Sequence, residues 1–129
     1  MNRRVLTAVL TGFVLGLGSC KEGPKAGEIE VVLATPNSDD GAVQFTATTT
    51  PPYAITAASA ACAGCKLFLV KLNDTQYRGV VTGNVVAGPL MRLSVPDTRA
   101  KASYTIQLNS IATRTFAVRS INGYSTSLR

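Results

Sequence analysis

Apolar and polar residues alternate in short segments along most of this chain, beginning at Glu28. Alternation with a period of two predicts β-strands with one face towards a core, and no stretch shows a sustained helical period of 3.6 residues. The clearest alternation runs over 103–109, where Tyr104, Ile106 and Leu108 are predicted to face inward. Turn residues recur about every ten positions. The pattern therefore predicts an all-β fold, a single antiparallel β-sandwich of about eight to nine short strands.

Two features predict where strands lie relative to one another. Residues 66–72 are apolar on both faces, which predicts a central strand that is covered on both sides. Asp40-Gly41 is a strong signal for a tight turn, so the strands before and after it are predicted to form a hairpin or to be near neighbours. Asn122-Gly123 predicts a second tight turn close to the C-terminal strand.

The first twenty residues have a different pattern. Arg3 and Arg4 precede a mainly apolar run over 5–17, and small residues stand just before Cys20. A helix that spans a membrane needs about 20 apolar residues, so this run is too short to be one. A charged start, an apolar centre and a small-residue end predict a cleaved signal peptide over 1–19.

The tetrapeptide Leu17-Gly18-Ser19-Cys20 resembles the lipobox of bacterial lipoproteins. This resemblance implies that the Cys20 thiol receives a diacylglyceryl group, that the leader is cut off before it, and that the new amino terminus is often acylated. Two or three acyl chains hold a protein durably on a membrane, whereas one binds reversibly. Lys21 follows, where some enteric bacteria place an Asp as an inner-membrane signal, so the outer membrane is favoured. The alternative is an ordinary signal peptide with a chance cysteine.

Residues 20–27 are then expected to be a lipidated tether and 28–129 the β-sandwich domain. Segments 27–31, 36–42 and 117–124 resemble uncharacterised bacterial lipoproteins with one cohesin-like or immunoglobulin-like sandwich. That resemblance implies a fold and display on the cell envelope, and it implies no activity.

Composition narrows the function classes further. The 129 residues include no His and no Trp, so a Ser-His-Asp or Cys-His catalytic arrangement within the chain is excluded. The 13 basic residues outnumber the 7 acidic ones, but they are scattered and form no groove for nucleic acid. We therefore predict a non-catalytic binding or structural module without a cofactor. It is expected to be a monomer whose partners are the membrane and an unknown protein or envelope polymer.

Cys62 and Cys65 carry the sharpest chemical signal. In an oxidising compartment two cysteines this close are predicted to form a structural disulfide. The alternative function is a small envelope thiol–disulfide redox protein, although such pairs usually sit at a helix N-terminus. A c-type haem site (with Lys66 in place of the usual His) lacks an axial His. A zinc site lacks two further nitrogen or sulfur donors.

Asn37, Asp39 and Asp40 are weak candidates for a calcium site, because they place three oxygen-bearing side chains in one loop. Residues of these types also stabilise turns by bonding their own backbone, and the turn is the favoured interpretation. Glu28 and Glu30 share one face of a strand. We interpret them as charges that protect an edge strand rather than as an acid–base pair.

Overall fold

The alternating segments form two antiparallel sheets that face each other across one buried core, in a computed structural model that describes residues 23–129. The predicted all-β sandwich is confirmed. The predicted signal peptide and Cys20 lie outside the described residues. The nine strands of the described part are β1 (Gly27–Ala34), β2 (Asp40–Thr49), β3 (Ala57–Ala60), β4 (Lys66–Asn73), β5 (Gln76–Val85), β6 (Gly88–Val95), β7 (Tyr104–Thr113), β8 (Val118–Arg119) and β9 (Ser125–Leu128).

Each sheet mixes strands that are distant in sequence. The four-stranded sheet has the order β3-β6-β1-β9, and the five-stranded sheet has the order β4-β5-β2-β7-β8. A short 3-10 helix, Lys101–Ser103, precedes β7. The Pro51-Pro52 peptide bond in the β2–β3 connection is cis.

Alternate residues of the strands build the core, as the sequence pattern predicts. Tyr104 and Leu108 are buried and Ile106 packs against the core, so the inward face of β7 is the predicted one. Phe45 at the centre of β2 is fully buried opposite Gly79 of β5. A Cβ atom at Gly79 would lie 2.5 Å from Phe45 Cζ, so only glycine leaves room for this ring. The buried cluster described for residues 23–129 draws on strands of both sheets.

The predicted turn at Asp40-Gly41 is wrong. Both residues belong to β2, and Asp40 is fully buried at the beginning of the strand. The neighbouring strands do not form a hairpin, because β1 and β2 lie in different sheets. Gly41 serves a close approach instead, since its Cβ atom would lie 2.8 Å from the Arg114 Cα atom. The second predicted turn, at Asn122-Gly123, is present.

The predicted central position of residues 66–72 is also wrong. They form β4, which lies at one edge of the five-stranded sheet and pairs only with β5. Its inward residues Leu67 and Leu69 pack against the core, but Phe68 and Val70 point outward and are exposed. Residues 66–72 are therefore apolar on two faces, of which one packs against the core and the other is uncovered.

Candidate functional site

The cysteine pair lies in the connection between β3 and β4. The two sulfur atoms of Cys62 and Cys65 are 2.02 Å apart, which is disulfide-bonding distance, and the Cys65 backbone N–H donates to the Cys62 carbonyl at 3.1 Å. Gly64 permits this tight turn with a φ of +72°. Both cysteines pack against the core, and two strands flank the turn without a helix between them. This setting differs from that of a redox Cys-x-x-Cys pair, whose first cysteine lies at a helix N-terminus.

The acidic cluster proposed from the loop is built around a buried carboxylate. Asp40 is fully buried and accepts three hydrogen bonds from side chains. The Thr35 hydroxyl donates to its Oδ2 at 2.8 Å, while Tyr124 Oη donates to Oδ1 at 2.8 Å and Arg119 Nη1 at 3.1 Å. Because a buried carboxylate needs both charge compensation and hydrogen bonds, these partners explain how Asp40 is tolerated inside the fold.

Asp39 lies on the outer side of the same cluster. Arg119 binds it with two parallel hydrogen bonds, Nη1 to Oδ1 at 2.8 Å and Nη2 to Oδ2 at 3.0 Å. The hydrogen bonds from the guanidinium group lower the pKa of Asp39, and those to Asp39 raise the pKa of Arg119. Asn37 joins the cluster by donating its Nδ2 to Tyr124 Oη at 2.7 Å.

The three calcium candidates are thus brought together, but their polar groups are used within the protein. Asp39 and Asp40 face a guanidinium group, which supplies the positive charge that a cation would bring, and the Asn37 amide donates from its nitrogen. Among residues 23–129, no group of three or more His, Cys, Asp or Glu side chains is placed to hold a metal ion. The arrangement fits a structural ion-pair cluster better than a ligand cage.

Glu28 and Glu30 share the outer face of β1, as predicted, but β1 is not an edge strand. It lies between β6 and β9. Glu30 forms ion pairs with Arg92 of β6 and with Arg129 near the C-terminus. These partners bind Glu30 to the neighbouring chain segments and give it a cross-strand role in place of edge protection.

The described part of the predicted tether is held on the domain surface. The Thr98 N–H donates to the Lys25 carbonyl at 2.8 Å, and Arg99 Nη2 donates to the Gly23 carbonyl at 2.6 Å. Asp97 Oδ1 accepts from the Arg99 N–H at 3.0 Å, and this hydrogen bond is the main reason why the pKa of Asp97 is lowered. The N-terminal segment therefore leaves the sandwich beside the β6–β7 connection.

Sequence reasoning missed several residues of potential functional value. Arg119 and Tyr124 complete the acidic cluster from positions about eighty residues along the chain, and no local pattern signals such a pairing. Phe116 is 91% exposed and has a φ of +70°, although it is not a glycine. The edge position of β4, which leaves its outward apolar residues uncovered, could have been predicted from sequence. Lys66 and Lys71 lie within this strand, and lysines are typical of edge strands.

A cleft of about 550 Å³ opens where the edge strands β3 and β4 lie opposite each other. Lys71 is the one charged residue that lines it. Most of the other lining residues are apolar and come from both sheets, among them Ile55, Ala57, Ala58, Leu67, Leu69 and Tyr77. A concave site of this size suits a small apolar ligand or a side chain of a partner.

Comparison with known protein families, curated proteins and solved structures gives no match for this chain. Within residues 23–129, no helix has the length and apolar character needed to cross a membrane.

Proposed function

We propose that this chain is a lipid-anchored protein of the bacterial cell envelope whose β-sandwich acts as a non-catalytic binding or structural module. One observation carries the proposal: Leu17-Gly18-Ser19-Cys20 stands at the end of a charged and then apolar leader. Lipidation at Cys20 would attach acyl chains to the membrane and leave residues 21–129 outside the cytoplasm. The outer membrane is the favoured location.

Two features of the folded domain support this proposal. The Cys62 and Cys65 sulfurs lie at disulfide distance, and disulfides persist in oxidising compartments such as the periplasm. The tether contacts from Arg99 and Thr98 leave only Cys20, Lys21 and Glu22 between the predicted lipid and the described surface. The domain would therefore sit close to the membrane.

The test is mass spectrometry of the full chain expressed in a bacterium. We expect a mature protein that begins at Cys20 and carries added acyl mass, and Cys20→Ser should remove this mass and release the protein from membranes. The double variant Cys62→Ser/Cys65→Ser is the matched control and should keep both. A mature protein with a free amino terminus and no acyl group would refute the anchor.

The alternative, a small thiol–disulfide redox protein, rests on the same sulfur pair at disulfide distance. The β-turn setting of Cys62 and Cys65 argues against it, because the thiolate lacks a helix N-terminus. Reduction of insulin disulfides by the reduced protein would support this alternative. If the reduced protein reduces insulin no faster than the Cys62→Ser/Cys65→Ser variant does, the redox alternative is refuted and the disulfide has a structural role.

A further inference from the structure

Exposed apolar residues are concentrated on one face of the sandwich. Seven large hydrophobic residues are exposed among residues 23–129, and five of them lie on or beside the outer face of the five-stranded sheet. The five are Phe68, Val70, Leu72, Phe116 and Val118. Scattered exposed apolar residues are ordinary, whereas grouped ones mark an interaction surface.

The first group lies on β4, at one edge of this sheet. Phe68 and Val70 point outward and are 58% and 61% exposed, and Leu72 follows on the same strand. Phe68 is paired with Val80 of β5, and Val70 with Arg78. Together these residues line a shallow depression of about 350 Å³. We call this group the β4 cluster.

The second group lies at the opposite edge, around the β7–β8 connection. Val118 of β8 is paired with Ala112 and points outward. Phe116 lines a depression of about 380 Å³ together with Ala112, Ala42 and Thr82, which are outward residues of three successive strands. We call Phe116 and Val118 the β8 cluster. Since five strands are spaced about 4.8 Å apart, the edge strands β4 and β8 stand roughly 19 Å from each other.

Charge distinguishes this face from the other outer face. The outward residues of these five described strands include Lys66 and Arg78 and no carboxylate. The outer face of the four-stranded sheet carries charges of both signs instead, Glu28 and Glu30 together with Arg92, which forms an ion pair with Glu30. A surface with apolar groups and uncompensated positive charge is complementary to an anionic and apolar partner.

We propose that the outer face of the five-stranded sheet rests on an anionic lipid surface. The β4 cluster and the β8 cluster enter the interfacial region, and Lys66 and Arg78 lie among the head groups. A flat bilayer contacts both clusters at once, although they lie at opposite edges of the sheet. Pairing of this face with a second copy would bring Lys66 and Arg78 against like charges, which disfavours that occupant.

The length of the tether is compatible with this orientation. Gly23 and Lys25 are held on the domain surface, so only the segment from Cys20 to Gly23 is left to reach the bilayer, and it spans at most about 10 Å when extended. This reach is similar to the roughly 10 Å that separates two packed sheets. Delivery of the face to the bilayer rests on the proposed anchor at Cys20, but the affinity of the face for lipid does not.

The experiment uses the unlipidated segment 21–129, which contains both described sheets, and measures co-sedimentation with vesicles. We expect binding to vesicles of equal parts phosphatidylglycerol and phosphatidylcholine, weaker binding at high salt, and little binding to phosphatidylcholine alone. Lys66→Gln should weaken the binding about fivefold, which corresponds to one basic residue near an anionic surface. Lys101→Gln, on the short 3-10 helix, is the charge control and should bind like the unchanged segment.

A matched pair of apolar variants tests the face itself. Val70→Ser should weaken vesicle binding at least about threefold through the lost apolar contact, whereas Val86→Ser, in the β5–β6 turn outside this face, should not. Thermal melts of both variants verify folding. Absence of binding to anionic vesicles at low salt, or equal losses for the two variants, would overturn the proposal. So would a dimer in light scattering that Val70→Ser dissociates, because it would assign the face to a second copy.

This experiment is independent of the anchor. No acyl chain is present in segment 21–129, so failure to bind vesicles would leave the acylation of Cys20 to be judged by mass spectrometry. Conversely, a missing acyl group would refute the anchor without changing the affinity of the sheet face for lipid.

Discussion

Arg119 places one guanidinium nitrogen between two neighbouring carboxylates, 3.1 Å from the buried Oδ1 of Asp40 and 2.8 Å from Oδ1 of Asp39. The contact joins the beginning of β2 to β8, across about eighty residues of chain. Tyr124, in the segment before β9, donates a second hydrogen bond to the same Asp40 oxygen. Arg119 and Tyr124 thus attach the C-terminal segment to the buried carboxylate of Asp40.

Replacing Arg119 should be strongly destabilising. Arg119→Met leaves Asp40 buried with hydrogen bonds but without a compensating charge, so we expect a loss of about 3–5 kcal/mol in the free energy of unfolding. Chemical denaturation of the segment 21–129 measures it. Lys101→Met, at an exposed position, is the control and should change stability by less than about 0.5 kcal/mol. The double variant Asp40→Asn/Arg119→Met should lose less than Arg119→Met alone, and equal losses would contradict the charge argument.

Acid should weaken the fold. The pKa values of Asp39 and Asp97 are lowered below the ordinary value of 3.8, for Asp39 mainly by the Arg119 side chain and for Asp97 mainly by the Arg99 backbone N–H. The unfolded chain therefore binds more protons in the acid range, and stability rises with pH. The contribution is fully present above pH 3.8 and is lost as the pH falls through the lowered pKa values.

Melting temperatures between about pH 5 and pH 2 measure this dependence. Asp39→Asn/Asp97→Asn should give a flatter decline than the unchanged chain. Asp74→Asn is compared with the single variants Asp39→Asn and Asp97→Asn, because each of the three removes one negative charge and the side chain of Asp74 is 98% exposed. An unchanged slope in the double variant would show that other groups govern acid unfolding.

Reduction of the Cys62–Cys65 pair should lower stability only modestly. The closed loop is very short, so the constraint it places on the unfolded chain is worth roughly 2 kcal/mol. We expect no free thiol in the native protein and two after reduction, with a drop in melting temperature of about ten degrees. Cys62→Ser/Cys65→Ser should reproduce the drop and should no longer respond to reductant. Free thiols in protein isolated from an oxidising compartment would argue against a structural disulfide.

Phe116 offers a test in which stability and surface affinity change in opposite directions. Its φ of +70° is unfavourable for a residue with a Cβ atom, and its 91% exposed ring makes little contact with the core. Phe116→Gly should therefore raise the free energy of unfolding by up to about 1 kcal/mol while it weakens binding to anionic vesicles. Phe116→Ala separates the two effects, since it removes the ring and keeps the strained backbone. A destabilised Phe116→Gly variant would contradict this account.

Much of the fold was accessible from local pattern. Alternation identified β7 and its inward residues Tyr104, Ile106 and Leu108, because side-chain direction along a strand depends only on sequence position. The spacing of turn signals gave the correct number of strands for the same local reason. The Cys62–Cys65 pairing was likewise predictable, since two cysteines this close in sequence usually form a disulfide in an oxidising compartment.

The assignment of strands to sheets was not accessible in this way. Asp40-Gly41 has the composition of a tight turn, yet it begins β2. The chain passes from one sheet to the other between β1 and β2, so these strands do not form a hairpin. The burial of Asp40 depends on Arg119 and Tyr124, whose approach is set by the pairing of distant strands. An apolar run such as 66–72 fits both a central strand and an edge strand with an uncovered face.

By itself the sequence determined the class of fold, the inward face of β7 and the proximity of Cys62 and Cys65, and it predicts a lipid anchor at Cys20. Only the tertiary structure decided that β4 is an edge strand and that its apolar outer face shares one surface with Phe116 and Val118. It also decided that the buried Asp40 forms an ion pair with Arg119. The physical reason is that strand direction and burial period are local properties of the backbone. Sheet order and charge pairing depend instead on which distant segments bury each other.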